Sequence, residues 1–224
     1  MKGKNLRYLD ENTQPSAQTR AGFLLLEHFS LPAFTQALDT IVTANLLRPT
    51  LFSSRTFGLQ DGEVTSDLGL IIRPDARLDA QALKELDLLV ICGGYRTELK
   101  ASEELIHLLA NAAELGLTLA GLWNGAWFLG AAGLLEGYRC AIHPEHRAAL
   151  AEISKVARVT SEAFVVDRDR LTASSPAGAF HMALEWIKGL HDKALIEGIE
   201  DILSFEESRY RRIKPTRHLS VSAP

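Results

Sequence analysis

Cysteine is scarce: Cys92 and Cys140 are the only two in 224 residues, and both sit inside apolar stretches rather than turn-rich ones. That excludes a disulfide-stapled scaffold and leaves small buried thiols in a reducing compartment as the expectation. Long hydrophobic runs are missing as well. No stretch approaches the roughly 18 apolar residues that a membrane helix requires. The opening MKGKNLRYLDENTQPSAQTR is polar and lacks the apolar segment of a signal peptide. A cytoplasmic location with no membrane partner follows as an expectation. Positive charge is not in excess either, because 24 Lys and Arg face 28 Asp and Glu for a net charge of −4. Nucleic-acid binding by this segment therefore cannot be inferred from charge. With 46% apolar and 23% charged residues, the chain has the composition of an ordered globular domain rather than a disordered one.

Strands and helices alternate along most of the chain. Residues 1–20 are polar without hydrophobic period and read as a flexible N-terminal arm. The fold is expected to begin at Ala21, where Gly22 to Leu26 form an unbroken apolar run, the signature of a strand buried on both faces of a parallel sheet. After Pro32, residues Phe34, Ala37, Leu38, Ile41, Val42 and Leu46 recur at three- and four-residue steps on one helix face. Residues 51–58 and 64–72 read as two short strands joined by a hairpin-like turn at Gln60-Asp61-Gly62. Further strands are expected at 87–92, 117–120, 140–142, 156–159, 164–166 and 171–173. Helices are expected at 80–86, 103–115, 125–132, 144–154, 177–190 and 194–208. Repeated strand–helix units with short connections specify a mainly parallel sheet covered by helices on both faces. Residues 209–224 differ: Arg209, Arg211, Arg212, Lys214 and Arg217 make a basic tail with the look of a linker.

Between a buried strand and a helix lies Gly121-Leu122-Trp123-Asn124-Gly125, in the pattern of a turn that displays one side chain above a sheet between two close-packing glycines. The displayed residue is Trp123, and an indole has no nucleophilic heteroatom able to form an acyl or thioester intermediate. The phrases FLLLEHFSLPAF, DLLVICGGY, GAWFLGAAGLLEGYRCAIHPEH and DRDRLTASSPAGAFHMAL, in that order, resemble the class I glutamine amidotransferase-like (PfpI) superfamily. More narrowly they resemble the sensor domain of GlxA-type AraC family transcriptional regulators.

The resemblance implies a flavodoxin-like three-layer α/β sandwich spanning residues 21–208, usually a homodimer, with a pocket at the carboxyl ends of the strands. It also implies a small-molecule effector, with amino acids and quaternary amines among the family's ligands, and DNA contact only through a helix-turn-helix unit that this chain does not include. Enzymes of the superfamily carry Cys at the elbow and an acidic residue near the start of the first helix. Here those positions hold Trp123 and Ala33, and only the histidine after the elbow is matched, by His143. The expected function is a non-catalytic sensor without cofactor or metal. The alternative is a PfpI-type hydrolase or deglycase using an unconventional group such as Cys92 or His143.

The expected ligand-binding residues are Trp123, Asn124, Tyr95, His143, Ala33, Phe34 and Gly94. Aromatic faces from Trp123, Tyr95 and Phe34 would suit a cation, whereas Trp127, four residues beyond Trp123, reads as core packing. His143 has two readings, one facing the pocket and one capping backbone groups at a strand-to-helix junction. Pairing with His146 would give at most half a metal site. Arg96 is either a partner for a ligand carboxylate or a surface arginine.

Overall fold

Apolar runs that read as doubly buried strands meet in one sheet. The computed structural model describes residues 18–203. The expected N-terminal arm, apart from Gln18 to Arg20, and the expected basic tail lie outside them. Strand β1 (Thr19–Leu25) starts two residues ahead of Ala21 and feeds α1 (Leu31–Leu47). Ser30 begins that helix, its Oγ accepting from the Ala33 N–H at 3.4 Å, and Pro32 occupies the first turn, where its missing N–H is no loss. There follow β2 (Phe52–Gly58), β3 (Val64–Thr65), β4 (Ile71–Ile72), β5 (Ala76–Arg77), α2 (Ala80–Leu83), β6 (Leu88–Cys92) and α3 (Glu103–Glu114). The second half contains β7 (Thr118–Leu122), α4 (Gly125–Ala131), β8 (Arg139–Cys140), α5 (Arg147–Ile153), β9 (Arg158–Val159), β10 (Phe164–Asp167), β11 (Arg170–Ala173), α6 (Pro176–Lys188) and α7 (Lys193–Leu203).

Seven strands form the sheet in the order β10-β11-β7-β6-β1-β2-β5, with β10 alone antiparallel to its neighbour. This is the mainly parallel, helix-covered sheet that the strand–helix alternation implies and the three-layer, flavodoxin-like α/β sandwich that the resemblance implies. Alternate side chains of each strand point to opposite faces. Phe23, Leu25, Val90, Cys92, Ala120 and Leu122 pack under α1, α6 and α7, while Leu24, Leu89, Ile91 and Leu119 pack under α3, α4 and α5. Cys92 and Cys140 fall into these two separate cores, so they remain free buried thiols.

One local expectation fails. Residues 51–58 and 64–72 do not make a hairpin across Gln60-Asp61-Gly62. Instead β2 lies parallel to β1 inside the main sheet, and β3 pairs antiparallel with β4 in a separate small ribbon. Local turn chemistry suggested the hairpin, but the apolar Phe52 and Phe57 are buried by pairing with the first strand, a contact distant in sequence. Among the described residues no helix is long and apolar enough to cross a membrane.

The far ends of α1 and α7 are locked by charge. Arg48, which caps α1, holds both oxygens of Asp192 at 2.6 and 2.8 Å, and Asp192 also accepts the Leu195 N–H at the start of α7. The guanidinium bonds, followed by the backbone bond, hold the Asp192 carboxyl well below its ordinary 3.8, at about 2. A carboxyl lowered on folding stabilises the fold above its unfolded pKa, and that contribution disappears as pH falls through the folded value. Because Asp192 is more than half exposed, water screens the pair and the gain is modest. Asp192→Asn, which retains an acceptor for Leu195, should lower stability at pH 7 by about 1 kcal/mol. Urea melts of the two proteins should converge between pH 4 and pH 2. A gap that persists unchanged at pH 2 would contradict the assignment.

Candidate functional site

The turn after β7 places a bulky residue in a left-handed conformation. Trp123 has φ of +61°, a left-handed conformation that is destabilising for a residue with a Cβ by roughly 1–2 kcal/mol. Two glycines make room for it. A Cβ on Gly121 would stand 2.4 Å from the Ala126 nitrogen, and one on Gly125 would stand 2.2 Å from the Ile91 carbonyl oxygen. Backbone bonds fix the turn from both sides: the Trp123 N–H donates to the Ala173 carbonyl at 2.8 Å, and the His143 N–H donates to the Trp123 carbonyl at 3.1 Å. The elbow thus exists as its sequence pattern implies, and its displayed side chain is an indole.

That indole is half-buried and stacked on His143, with ring centroids 4.3 Å apart and planes within 7°. His143 stacks on the elbow residue, and its side chain caps no backbone group of the 3-10 turn Pro144–His146. His146 lies 6.1 Å from His143, ring to ring, and is held below its ordinary pKa first by burial and then by the neighbouring imidazole. Among the described residues no three metal-ligating side chains converge.

Three loops at the carboxyl ends of β1, β6 and β7 are stitched together beneath the elbow. Thr97 Oγ1 donates to the Glu27 carbonyl at 2.9 Å, and Asn124 Nδ2 donates to the Thr97 carbonyl at 3.3 Å. Asn124 is fully buried, and its Oδ1 fills the space beside Gly93 where a Cβ would stand. It positions the loops from below. Gly94 lies against the His28 carbonyl, and Ala33 is fully buried in the first turn of α1, which holds no acidic residue. Ala33 therefore supplies no acid to the elbow.

The expected cluster of aromatic faces is not assembled. Phe34 is a core residue, only 4% exposed and in edge contact with Phe23 and Phe29. Its helical spacing was the stronger signal. Tyr95 is 57% exposed, and Trp127 packs on Phe128 against the opposite core, as its spacing implies. Arg96 is exposed, as the surface reading expects, and its Nη2 donates to the Asp67 carbonyl. Two residues of the site went unrecognised in the sequence. His28, at φ +60° with a buried Nδ1 that has no hydrogen-bond partner, sits on the same edge, but in the sequence it is only a polar residue just past the apolar run Gly22 to Leu26. Thr97 gave no signal at all, because a threonine in a loop acquires its role only from the carbonyls around it. A depression of about 550 Å³ lies elsewhere, between α6 and α7, lined by Phe164, His181, Leu184, His191 and Ile196.

Cys92 lies at the end of β6, fully buried, and burial pushes its thiol far above the ordinary range. Cys140 is pushed up to about 11 by the same cause. The thiolate is the reactive form, so neither cysteine is a nucleophile at neutral pH. Ellman's reagent at pH 8 should therefore find no rapidly reacting thiol in the native protein and both thiols in guanidinium. Fast stoichiometric labelling of the native chain would contradict the burial.

The sequence profile of the DJ-1/PfpI family matches residues 29–189. The chain is 31% identical over 203 residues to the HTH-type transcriptional regulator GbdR of Pseudomonas aeruginosa, covering 88% of this chain and 54% of that protein. The crystal structure of an AraC family transcriptional regulator from Pseudomonas putida is 52% identical, with a TM-score of 0.80 over 83% of this chain and 99% of that one. A ThiJ/PfpI family protein from Pseudomonas syringae, 22% identical with a TM-score of 0.75 over 98% of this chain and 85% of that chain, shares the fold. The chain spans about half the length of the curated regulators it matches.

Proposed function

This chain belongs to the DJ-1/PfpI family, and we propose that it is the small-molecule-sensing part of an AraC family transcriptional regulator, without catalytic activity. The observation that carries this reading is the elbow itself. The turn that would present a nucleophile presents an indole stacked on His143, while the nearby Cys92 is buried and protonated. Similarity to regulators across most of the chain supports the same reading. The effector is a small molecule of the amino acid or quaternary amine class, bound at the elbow by Trp123 and His143 and by the surrounding loops that carry Tyr95 and Gly94. DNA is contacted by a helix-turn-helix unit outside residues 1–224, and the sensor works as a homodimer.

Signalling requires that the effector bind one arrangement more tightly than another, since a ligand shifts an equilibrium only by its differential affinity. Helix α1 offers a mechanical route. It begins at the loop under the elbow, packs along its length in the same core as Leu195 and Ile199 of α7, and is tied to Asp192 by Arg48. A change at the elbow loops is thereby carried to α7.

The reading is tested by thermal shift against a panel of amino acids and quaternary amines, alongside assays of methylglyoxal consumption, deglycation and peptide hydrolysis. At least one panel member should raise the melting temperature by several degrees, as binding to the folded state alone requires, with no turnover above a matched control. Turnover that vanishes in Cys92→Ser or His143→Ala would overturn it.

A further inference from the structure

Helices α6 and α7 face each other across open space. His181, Leu184, Glu185 and Lys188 follow at helical steps along one face of α6, and Lys193, Ile196, Glu197 and Glu200 do the same on α7. Between these faces lies the depression of about 550 Å³, a volume within the range of small-molecule pockets. Its floor is apolar. Phe164 of β10 lines it beside Leu184 and Ile196, and the last two are buried in the core beneath. None of its lining residues belongs to the elbow.

The rim of the depression is charged and does not balance. Lys188 holds Glu185 and Lys193 holds Glu197, each at 2.9 Å. That leaves Glu200, partly withdrawn from water and without an ion pair or hydrogen bond among the described residues. Three carboxylates thus meet two ammonium groups around the opening. His191, in the turn between the helices, adds no positive charge at neutral pH, because burial first and the Arg48 cation second hold it below its ordinary pKa. An apolar floor beside an unpaired carboxylate suits a molecule with an apolar body and a cationic head, and it disfavours an anion.

We propose that this depression is a second ligand site, separate from the elbow, and that it takes a small organic amine. The apolar body of the amine rests on Phe164, Leu184 and Ile196, and its ammonium group pairs with Glu200. This site goes beyond the sensor reading and does not depend on it. A molecule seated between α6 and α7 bears on α7 directly, and the start of α7 is tied to the end of α1 through Asp192 and Arg48. Occupancy therefore acts on the same helix that the elbow loops reach through α1.

The experiment is calorimetry on the whole chain at about pH 8, where an ordinary imidazole is neutral and an alkylammonium is still charged. Three probes of one shape are compared: 2-phenylethylamine, 2-phenylethanol and phenylacetate. The amine should bind about tenfold more tightly than the alcohol, the worth of one hydrogen bond to a charged group, and phenylacetate should bind most weakly. Glu200→Gln, a substitution of nearly equal size on the rim, should lower the affinity for the amine to that for the alcohol and leave the alcohol unchanged. A second readout locates the site. In protein labelled with 15N at histidine and tryptophan, the amine should shift the ring resonances of His191, identified through His191→Gln. The indole resonance of Trp123, identified through Trp123→Phe, should stay in place.

Phenylacetate binding as tightly as the amine, an amine affinity unchanged in Glu200→Gln, or an amine that moves Trp123 and not His191 would each overturn the proposal. So would an absence of amine binding at roughly millimolar concentration. The sensor panel is scored without these three probes, so failure of the depression as a site leaves the sensor reading standing.

Discussion

The left-handed backbone at Trp123 is the constraint on which the rest of the site depends. A bulky residue does not stay at φ +61° unaided. It is held because α4 approaches β6 and β7 so closely that only glycine fits at positions 121 and 125, and because β11 and the His143 loop each bond to the turn's backbone. That frame is indifferent to which side chain it displays. With a thiol it would suit covalent chemistry, and with an indole it offers a rigid ring of few rotamers, which suits recognition. The stack on His143 follows from the same frame, since the bond from the His143 N–H to the Trp123 carbonyl sets the two residues side by side before their rings meet.

Below the elbow, polarity is spent on holding loops rather than on chemistry. Asn124, Thr97 and the Glu27 carbonyl form a relay across three strand ends, and Gly94 allows the β1 and β6 loops to touch at the His28 carbonyl. Helix α1 leaves from that junction, and its opposite end is anchored by a bidentate ion pair to the start of α7. Packing between these points is tight: Ala33, Ala37, Ala44 and Leu47 are essentially buried along the helix. Close-packed elements move as units, so displacement of the loop that caps α1 is not absorbed locally.

Much of the fold is legible in the sequence because it rests on local periodicity. The apolar runs at β1, β6 and β7 and the three-to-four spacing along α1 identify their elements directly. Residues 51–72 mislead because their partners are remote: nothing near Gln60-Asp61-Gly62 reveals that β2 belongs beside β1 while β3 belongs beside β4. The site divides the same way. Trp123 is legible from the two glycines around it, whereas Ala33, offered by the resemblance as a ligand contact, is fully buried in the core. Phe34 was misassigned as pocket-facing although its spacing with Ala37, Leu38 and Ile41 marks it as core. His28 and Thr97 were invisible, since a positive φ and a relay of carbonyls are properties of the assembled loops rather than of either residue.

The central claim is that the elbow binds a small molecule at the indole it displays. A crystal structure of the chain soaked with its tightest-binding effector tests this most directly. Ordered effector density against Trp123 and His143, with the stack adjusted around it, is the predicted result. Effector density seated in the depression between α6 and α7, with nothing bound at Trp123 and His143, would contradict it.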